Sequence, residues 1–302
     1  FNIVTHHSII KAQPPGSLTA LKKSTVALCT GALVALTLNA PQSVAKEQKI
    51  TEDLLETFET TVQAAIATYN IPGVAIAIVE GNDIVYVNGF GLRNRASQEP
   101  VTPETRFQIA SITKSMTTTM VATMVDDRLL KWNQRVKRIW PDLAMPTQAL
   151  TRKIRLRHLM QMNTGLAEEN PFTTFYNMTL NGASAEDMLQ SLPELPVVGK
   201  LGRGFYPNNN TFASAGFIAA IASGAEYGNL SNAYKGLMQE RLFNPIGMES
   251  VRFTVDPSFE NYAIGHAFNL VTNTVEPFLL VNQQDIGGYA PASGILANVT
   301  DV

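Results

Sequence analysis

The chain has 302 residues but a single cysteine and only four histidines, and these shortages limit its chemistry. The cysteine, Cys29, lies near the N-terminus, so neither a disulfide framework nor a cysteine-based metal site can form. The histidines show no metal-ligand spacing; they are His6, His7, His158 and His266. The sequence therefore predicts no metal and no other cofactor.

Charged residues are also scarce, at 16% of the chain, and the net charge is only −2. With 45% apolar residues, this composition is typical of a folded globular protein with a sizeable core. No run of Lys and Arg is dense enough to follow a phosphate backbone, so we expect no nucleic-acid partner.

Acidic residues are absent from the first 45 positions, which differ in composition from the rest of the chain. Lys22 and Lys23 precede an uncharged, largely apolar stretch that ends in small residues at Ser43 and Ala45. This pattern predicts a secretory signal peptide that is cleaved before Lys46. Residues 1–20 are interpreted as upstream read-through, with Leu21 as the start of the signal peptide.

The predicted cleavage divides the chain into a removed segment, residues 1–45, and an exported domain, residues 46–302. We expect this domain in the periplasm or outside the cell. An uncleaved N-terminal membrane anchor is the alternative. It is less favoured because the apolar core of the segment is shorter than the roughly 20 residues that a spanning helix needs.

The start of the domain combines a helix with a hairpin. Thr51 is a suitable N-cap for a helix that begins with two acids and ends near Asn70. The segments "VAIAIVE" and "DIVYVNGFG" follow, and Gly81-Asn82 separates them. Two alternating apolar runs around such a turn predict a β-hairpin.

The rest of the domain reads as mainly helical. A helix is expected from Ser111, with one buried stripe formed by Ile112, Met116, Met120 and Met124. Helices and loops then continue through a subdomain at roughly residues 115–285. Strands followed by helices predict an α+β fold, in which an antiparallel sheet is flanked by helices and joined to a mostly helical subdomain.

Ser111 and Lys114 are the strongest candidates for chemistry. They are three residues apart, so both lie on one face of the helix start, where free backbone N–H groups favour a developing oxyanion. A serine needs a neighbouring base or cation to become nucleophilic, and a partly buried lysine can supply either. A capping serine beside a solvated lysine is the plainer interpretation. The two other Ser-x-x-Lys matches lie within the first 46 residues, and neither has this setting.

A second group is needed to move the serine proton. Tyr-x-Asn occurs three times, and the copy formed by Tyr206 and Asn208 is the best placed. It follows a glycine-containing turn and precedes a helix of small residues, so a loop could present a phenol and an amide opposite the serine. A packed tyrosine with a solvated hydroxyl is the alternative for Tyr206 alone.

With these residues in order, the chain resembles the serine β-lactamase-like hydrolases, in the group of class C β-lactamases, D-alanyl-D-alanine carboxypeptidases and esterases. The resemblance covers roughly residue 50 to the end and rests on "IPGVAIAIVEGNDIVYVNGFG", "TRFQIASITKSMTT", "LRHLMQMNTGL", "FYPNNNTFASAGFIAA", "ERLFNPIGMESVRF" and "GGYAPASGILANVTD". It implies that Ser111 is the acylated nucleophile and that Lys114 is its electrostatic partner. Tyr206 would be the general base or acid, and Asn208 would bind a substrate amide or hold Lys114. The Ser111 backbone N–H would form half of an oxyanion hole.

Three departures from the family pattern stand out. Met162 and Asn163 replace a common His-Thr pair, and Pro207 occupies a position where a small residue is usual. The last family motif, Lys-Thr-Gly or His-x-Gly on an inner strand, does not occur before Val302. We therefore expect a C-terminal truncation, an incomplete sheet and an exposed apolar face.

The leading hypothesis is an exported serine hydrolase that forms an acyl-enzyme on Ser111. Its partner would be a small-molecule or peptide substrate: a β-lactam, a D-amino-acid peptide or a small ester, among which fold alone does not choose. The alternative is a non-catalytic β-lactamase-fold module for binding or cell-wall interaction.

Overall fold

Helices and short strands make up a computed structural model that describes residues 50–167, 182–254, 261–277 and 286–302. Its α-helices are α1 (Glu52–Tyr69), α2 (Thr113–Asp126), α3 (Gln148–Lys153), α4 (Leu156–Met160), α5 (Ala185–Ser191), α6 (Asn209–Ala222), α7 (Leu230–Met238), α8 (Asn244–Ile246) and α9 (Ala290–Ser293). Its strands are β1 (Gly73–Glu80), β2 (Asp83–Asn94), β3 (Glu99–Pro100), β4 (Phe107–Gln108), β5 (His266–Asn269), β6 (Thr274–Pro277) and β7 (Leu296–Ala297). Single 3-10 turns lie at Ala110–Ile112, Val136–Arg138, Leu192–Glu194 and Gly287–Tyr289, and a π-helical turn lies at Gln239–Phe243.

Helix α1 has the predicted ends. Thr51 accepts a hydrogen bond from the backbone N–H of Leu54 at 3.3 Å, and Asn70 ends the helix in the left-handed conformation. None of its side chains is buried. The helix contacts the hairpin through an edge-to-face pair, Phe58 and Tyr86, whose ring centroids are 5.7 Å apart.

The predicted hairpin is confirmed. Strands β1 and β2 pair antiparallel, with Gly73 opposite Gly91 and Glu80 opposite Asp83, and β3 extends the sheet in the order β1-β2-β3. In the described part of the chain β1 is an edge strand, and several apolar hairpin side chains are exposed, including Val79 at 62%. The two remaining sheets are pairs, β4 with β7 and β5 with β6.

The core is helical and is centred on α6. Eleven consecutive residues of this helix, from Asn210 to Ala220, are buried. Small side chains allow this close packing: a Cβ on Gly216 would lie 2.6 Å from a side-chain atom of Pro291. Burial of the α6 surface against its neighbours therefore stabilises the helical part.

The predicted stripe on α2 is only partly correct. Met120 and Met124 are fully buried and Met116 packs against the core, but Ile112 is 51% exposed. The reason is the 3-10 turn that precedes α2, because its three residues per turn rotate Ile112 away from the stripe.

The architecture is the predicted α+β fold, with small antiparallel sheets and a helical part, and residues Thr51–Val302 form one compact unit. No helix in the described ranges is long and apolar enough to cross a bilayer. The predicted segment 1–45 lies outside the described residues, and the predicted domain boundary at residue 46 stays a prediction.

Candidate active site

Ser111 lies at a sharp junction between β4 and α2. Strand β4 pairs with β7, and the backbone N–H of Ile109 donates to the Ile295 carbonyl at 3.0 Å, which fixes the chain just before the serine. Ala110 then adopts a φ of 45°, a left-handed conformation that costs a non-glycine residue about 1–3 kcal/mol. The junction leaves Ser111 exposed at the start of the helical segment.

The ammonium group of Lys114 connects three parts of the chain. Its Nζ lies 3.0 Å from Ser111 Oγ, 2.7 Å from Asn209 Oδ1 and 2.9 Å from the Ala292 carbonyl oxygen. Nζ also lies 5.6 Å from the centre of the Phe212 ring, on the same helix as Asn209. The predicted pair of Ser111 and Lys114 is therefore brought together in hydrogen-bond contact.

Two partners of the Lys114 amine are carbonyl oxygens, and they determine which hydrogen bonds this amine can make. Oxygens of Asn209 and Ala292 accept hydrogen bonds and cannot donate them. Lys114 Nζ donates to Ser111 Oγ as well, so the three contacts are those of an ammonium group. An amine that has lost one proton still donates to the two other oxygens and directs its lone pair at Ser111 Oγ–H. The arrangement can therefore accept the serine proton, which is the activation that a serine nucleophile requires.

Buried hydrogen bonds hold α2 in place beneath this pair. Thr117 donates to the Pro291 carbonyl at 2.7 Å, and its hydroxyl lies 2.7 Å from the hydroxyl of Tyr234. Burial raises the pKa of Tyr234 well above its usual value, so this phenol stays neutral. Thr113 accepts from the backbone N–H of Ile295 at 3.2 Å. The lysine-bearing face of α2 is thus joined to the residues around α9.

Asn208 has a different place from the one predicted. It is the N-cap of α6: Oδ1 accepts from the Thr211 backbone N–H at 2.8 Å and Nδ2 donates to the Ala167 carbonyl at 2.6 Å. Only 1% of its surface is exposed. The amide that contacts Lys114 belongs to Asn209, because the first residue inside the helix projects toward α2 while the N-cap side chain turns back onto the helix end.

The structure does not join Tyr206 to the serine. Within the described residues, no hydrogen bond connects the Tyr206 hydroxyl with Ser111 or Lys114. The ring covers Gly199 so closely that a Cβ there would lie 2.1 Å from the hydroxyl. If Asn209 were the asparagine of a Tyr-x-Asn motif, the tyrosine would be residue 207. That residue is Pro207, which has no hydroxyl.

Two contributors to the site were missed from the sequence. Asn209 stands in a run of three asparagines, residues 208–210, so spacing alone could not select it. The Ala292 carbonyl is a backbone group and has no sequence signal of its own, although it lies within the segment "GGYAPASG" that carries the family resemblance.

Two further features bear on the chemistry of the site. No backbone partner within the described ranges takes the Ser111 N–H, so this group can donate to a ligand at the helix start. Across those same ranges, no three His, Cys, Asp or Glu side chains lie close enough together to hold a metal ion.

Comparisons with known proteins bear on the family of the chain. The family model described as Beta-lactamase matches residues 58–302. An unguisins hydrolase of Aspergillus campestris is 23% identical over 266 residues, 85% of this chain and 47% of that protein. A D-aminopeptidase of Cereibacter sphaeroides is 23% identical over 202 residues, 67% of this chain and 37% of that protein. The chain thus spans less than half the length of these relatives.

Solved structures show the same fold. An octameric penicillin-binding protein homologue from Pyrococcus abyssi superposes with a TM-score of 0.69 at 22% identity, covering 82% of this chain and 54% of that one. A class C β-lactamase mutant superposes with a TM-score of 0.65 at 22% identity, covering 82% of this chain and 62% of the other. At these identities the likeness establishes the architecture, and chemistry has to be argued from the residues.

Proposed function

The chain belongs to the β-lactamase family, and from that premise we propose that it is a serine hydrolase that forms an acyl-enzyme on Ser111. The observation that carries the proposal is the contact of 3.0 Å between Lys114 Nζ and Ser111 Oγ. Asn209 and the Ala292 carbonyl hold the lysine in that position.

The proposed reaction has two steps. Ser111 Oγ bonds to the carbonyl carbon of an amide or ester while its proton passes to neutral Lys114. The intermediate then collapses: the bond to the leaving amine or alcohol breaks, and the leaving group takes the proton from Lys114. Water next attacks the acyl carbon and gives a proton to Lys114. The bond from that carbon to Ser111 Oγ then breaks, Lys114 returns the proton to Oγ, and the acid product leaves.

The negative oxygen of each tetrahedral intermediate needs hydrogen-bond donors. In this proposal the Ser111 backbone N–H supplies one of them, because it lies at the start of the helical segment and has no backbone partner in the described ranges. Losing one such donor typically lowers a rate by about 10²–10³-fold, so this contact would be a substantial part of the catalysis.

Proton acceptance is assigned to Lys114 in preference to Tyr206. The lysine contacts the serine, whereas the Tyr206 hydroxyl packs on the loop around Gly199. Asn208 is assigned to the structure of α6 and not to substrate binding, because its amide is buried and both of its polar atoms are engaged.

The favoured substrate is an amide of a D-amino acid, with β-lactams and small esters as alternatives. Support comes from the D-aminopeptidase that the chain resembles, whose name specifies D-amino-acid chemistry. Export by way of residues 1–45 is part of the proposal and rests on the signal-like composition of that segment.

Labelling with a fluorophosphonate tests the proposal in the full-length gene product. We expect one covalent adduct, located on Ser111 by peptide mass spectrometry and lost in Ser111→Ala. Ser115→Ala is the matched control: this exposed serine lies one turn further along and its hydroxyl donates to the Ile112 carbonyl, so labelling should persist. A folded protein without an adduct on Ser111 would instead favour a non-catalytic binding module.

A further inference from the structure

A cluster of four cationic side chains lines one cleft of about 510 Å³ in the helical part of the molecule. We call it the basic cleft; its lining residues are Lys131, Asn133, Gln134, Arg135, Arg138 and Arg155. None of them belongs to the site around Ser111. The lining contains no carboxylate, so the cleft carries a concentrated positive charge.

The backbone fixes two of these cations opposite each other. Arg135 and Arg155 form an antiparallel bridge. On either side of it, Val136 N–H donates to the Ile154 carbonyl and Leu156 N–H donates to the Gln134 carbonyl, both at 3.1 Å. The juxtaposition therefore follows from main-chain hydrogen bonds and not from two flexible side chains that happen to meet.

This juxtaposition is unfavourable unless an anion compensates it. Like charges directly opposite one another across paired strands destabilise the pairing. Within the described ranges, no ion pair joins Lys131, Arg135, Arg138 or Arg155 to a carboxylate; the ion pairs there are Arg93–Glu99 and Arg241–Asp127. The local excess is large, because nine of the chain's 23 Lys and Arg residues lie between positions 128 and 157, where Asp142 is the one acid.

We propose that the basic cleft binds a phosphate group that carries at least two negative charges. Arginine guanidinium groups are planar forks that match phosphate oxygens, and Arg135 and Arg155 lie on the two sides of the backbone bridge. Arg155 donates one N–H to the Asn133 carbonyl, which orients its guanidinium and leaves further N–H groups for a ligand. The cleft is a single compact site, so it fits a phosphate-bearing small molecule or lipid headgroup and not a nucleic-acid backbone.

Isothermal titration calorimetry with inorganic pyrophosphate, at an ionic strength of about 0.15 M, tests the proposal in the full-length gene product. We expect binding that Arg135→Gln and Arg155→Gln each weaken about tenfold or more, because each removes charge-assisted hydrogen bonds. Lys153→Gln is the matched control, since it removes the same charge two residues from Arg155 but does not line the cleft. Its affinity should stay within about twofold of the wild type, because screened long-range attraction is weak.

A second arm identifies the source of the phosphate. Sedimentation with vesicles that contain phosphatidic acid, whose phosphomonoester carries up to two negative charges, supports a lipid headgroup if it is lost in Arg135→Gln. Pyrophosphate binding without vesicle binding supports a soluble phosphate compound. Absence of binding to both probes overturns the proposal, and so does equal weakening by Lys153→Gln and Arg135→Gln. Because binding here needs no hydrolysis, its failure and a failure of Ser111 labelling are separate results.

Arg135→Gln also gives a readout without ligand. If the two arginines repel each other, this variant should melt at a higher temperature than the wild type at low salt, and the difference should shrink as salt rises. An unchanged or lower melting temperature at low salt would contradict the like-charge argument on which the cleft rests.

Discussion

Asn208 and Asn209 are neighbours at the start of α6, yet their side-chain amides have different partners. Asn208 has an extended backbone, with φ −157° and ψ 109°, and its amide caps the helix. Asn209 is the first helical residue, and its amide oxygen contacts Lys114 at 2.7 Å. One residue of offset therefore separates a group that stabilises the fold from a group that positions the proposed base.

Replacing each of these two asparagines with alanine should separate effects on the acylation rate from effects on the free energy of unfolding. In Asn209→Ala we expect acylation of Ser111 to slow by about 10- to 100-fold. Lys114 becomes positively charged as it takes the serine proton, and a hydrogen bond to a charged group contributes about 1.5–3 kcal/mol. In Asn208→Ala we expect a loss of about 1–2 kcal/mol in the free energy of unfolding, with the acylation rate of the folded protein nearly unchanged. The two quantities are measured by single-turnover mass spectrometry and by urea denaturation.

The reverse pattern would contradict these assignments. If Asn208→Ala slowed acylation while Asn209→Ala left it unchanged, the amide that serves the site would be Asn208, as the Tyr-x-Asn spacing predicts.

Among the elements, α4 has an unusual cap that depends on a neutral histidine. His158 is the third residue of the helix segment and is 7% exposed; its Nδ1 accepts from the Arg155 backbone N–H at 3.1 Å. Burial lowers the pKa of His158, and the nearby Arg157 and Arg155 lower it further. Protonation of Nδ1 would remove the acceptor and place a cation beside two arginines.

This cap predicts a loss of stability in mild acid. The pKa of His158 is lower in the folded chain than the value of about 6.5 expected when unfolded, so between these values the unfolded state binds more protons. The contribution of neutral His158 to the free energy of unfolding is complete above about pH 6.5 and declines as the pH falls below that value.

The variant His158→Gln tests that decline, because a glutamine at this helix position can keep the capping contact without titrating. We expect the wild type to lose more unfolding free energy than the variant between pH 7.5 and pH 5, as measured by urea denaturation. Burial also lowers the pKa of His266, but this residue is present in both proteins and cancels in the comparison. Equal losses in the two proteins would mean that His158 is not the responsible group.

At the scale of the whole molecule, the features predicted from sequence are the local ones. The Thr51 cap, the left-handed Asn70 and the β1–β2 hairpin each depend on residues within a few positions, and turn and capping preferences are enough to identify them. The contact between Ser111 and Lys114 belongs to the same class, because three residues along a helix start place both on one face.

The long-range contacts of the site could not be predicted from the sequence. Lys114 meets Asn209 across 95 positions and Ala292 across 178, and only the packing of α2, α6 and α9 brings those groups together. The basic cleft could not be predicted for a related reason: Arg135 and Arg155 are separated in the sequence, and the backbone bridge between them brings them opposite each other.

The most direct test of the account is the rate at which an activated ester acylates Ser111, followed by single-turnover mass spectrometry in the wild type, Lys114→Ala and Tyr206→Phe. Lys114→Ala should lower the rate by about 10²-fold or more, as expected for loss of a general base. Tyr206→Phe should retain the wild-type rate within a small factor, because its hydroxyl packs on Gly199 and makes no hydrogen bond to Ser111 in the described structure. A wild-type rate in Lys114→Ala, or an equal loss in Tyr206→Phe, would contradict the assignment of proton transfer to Lys114.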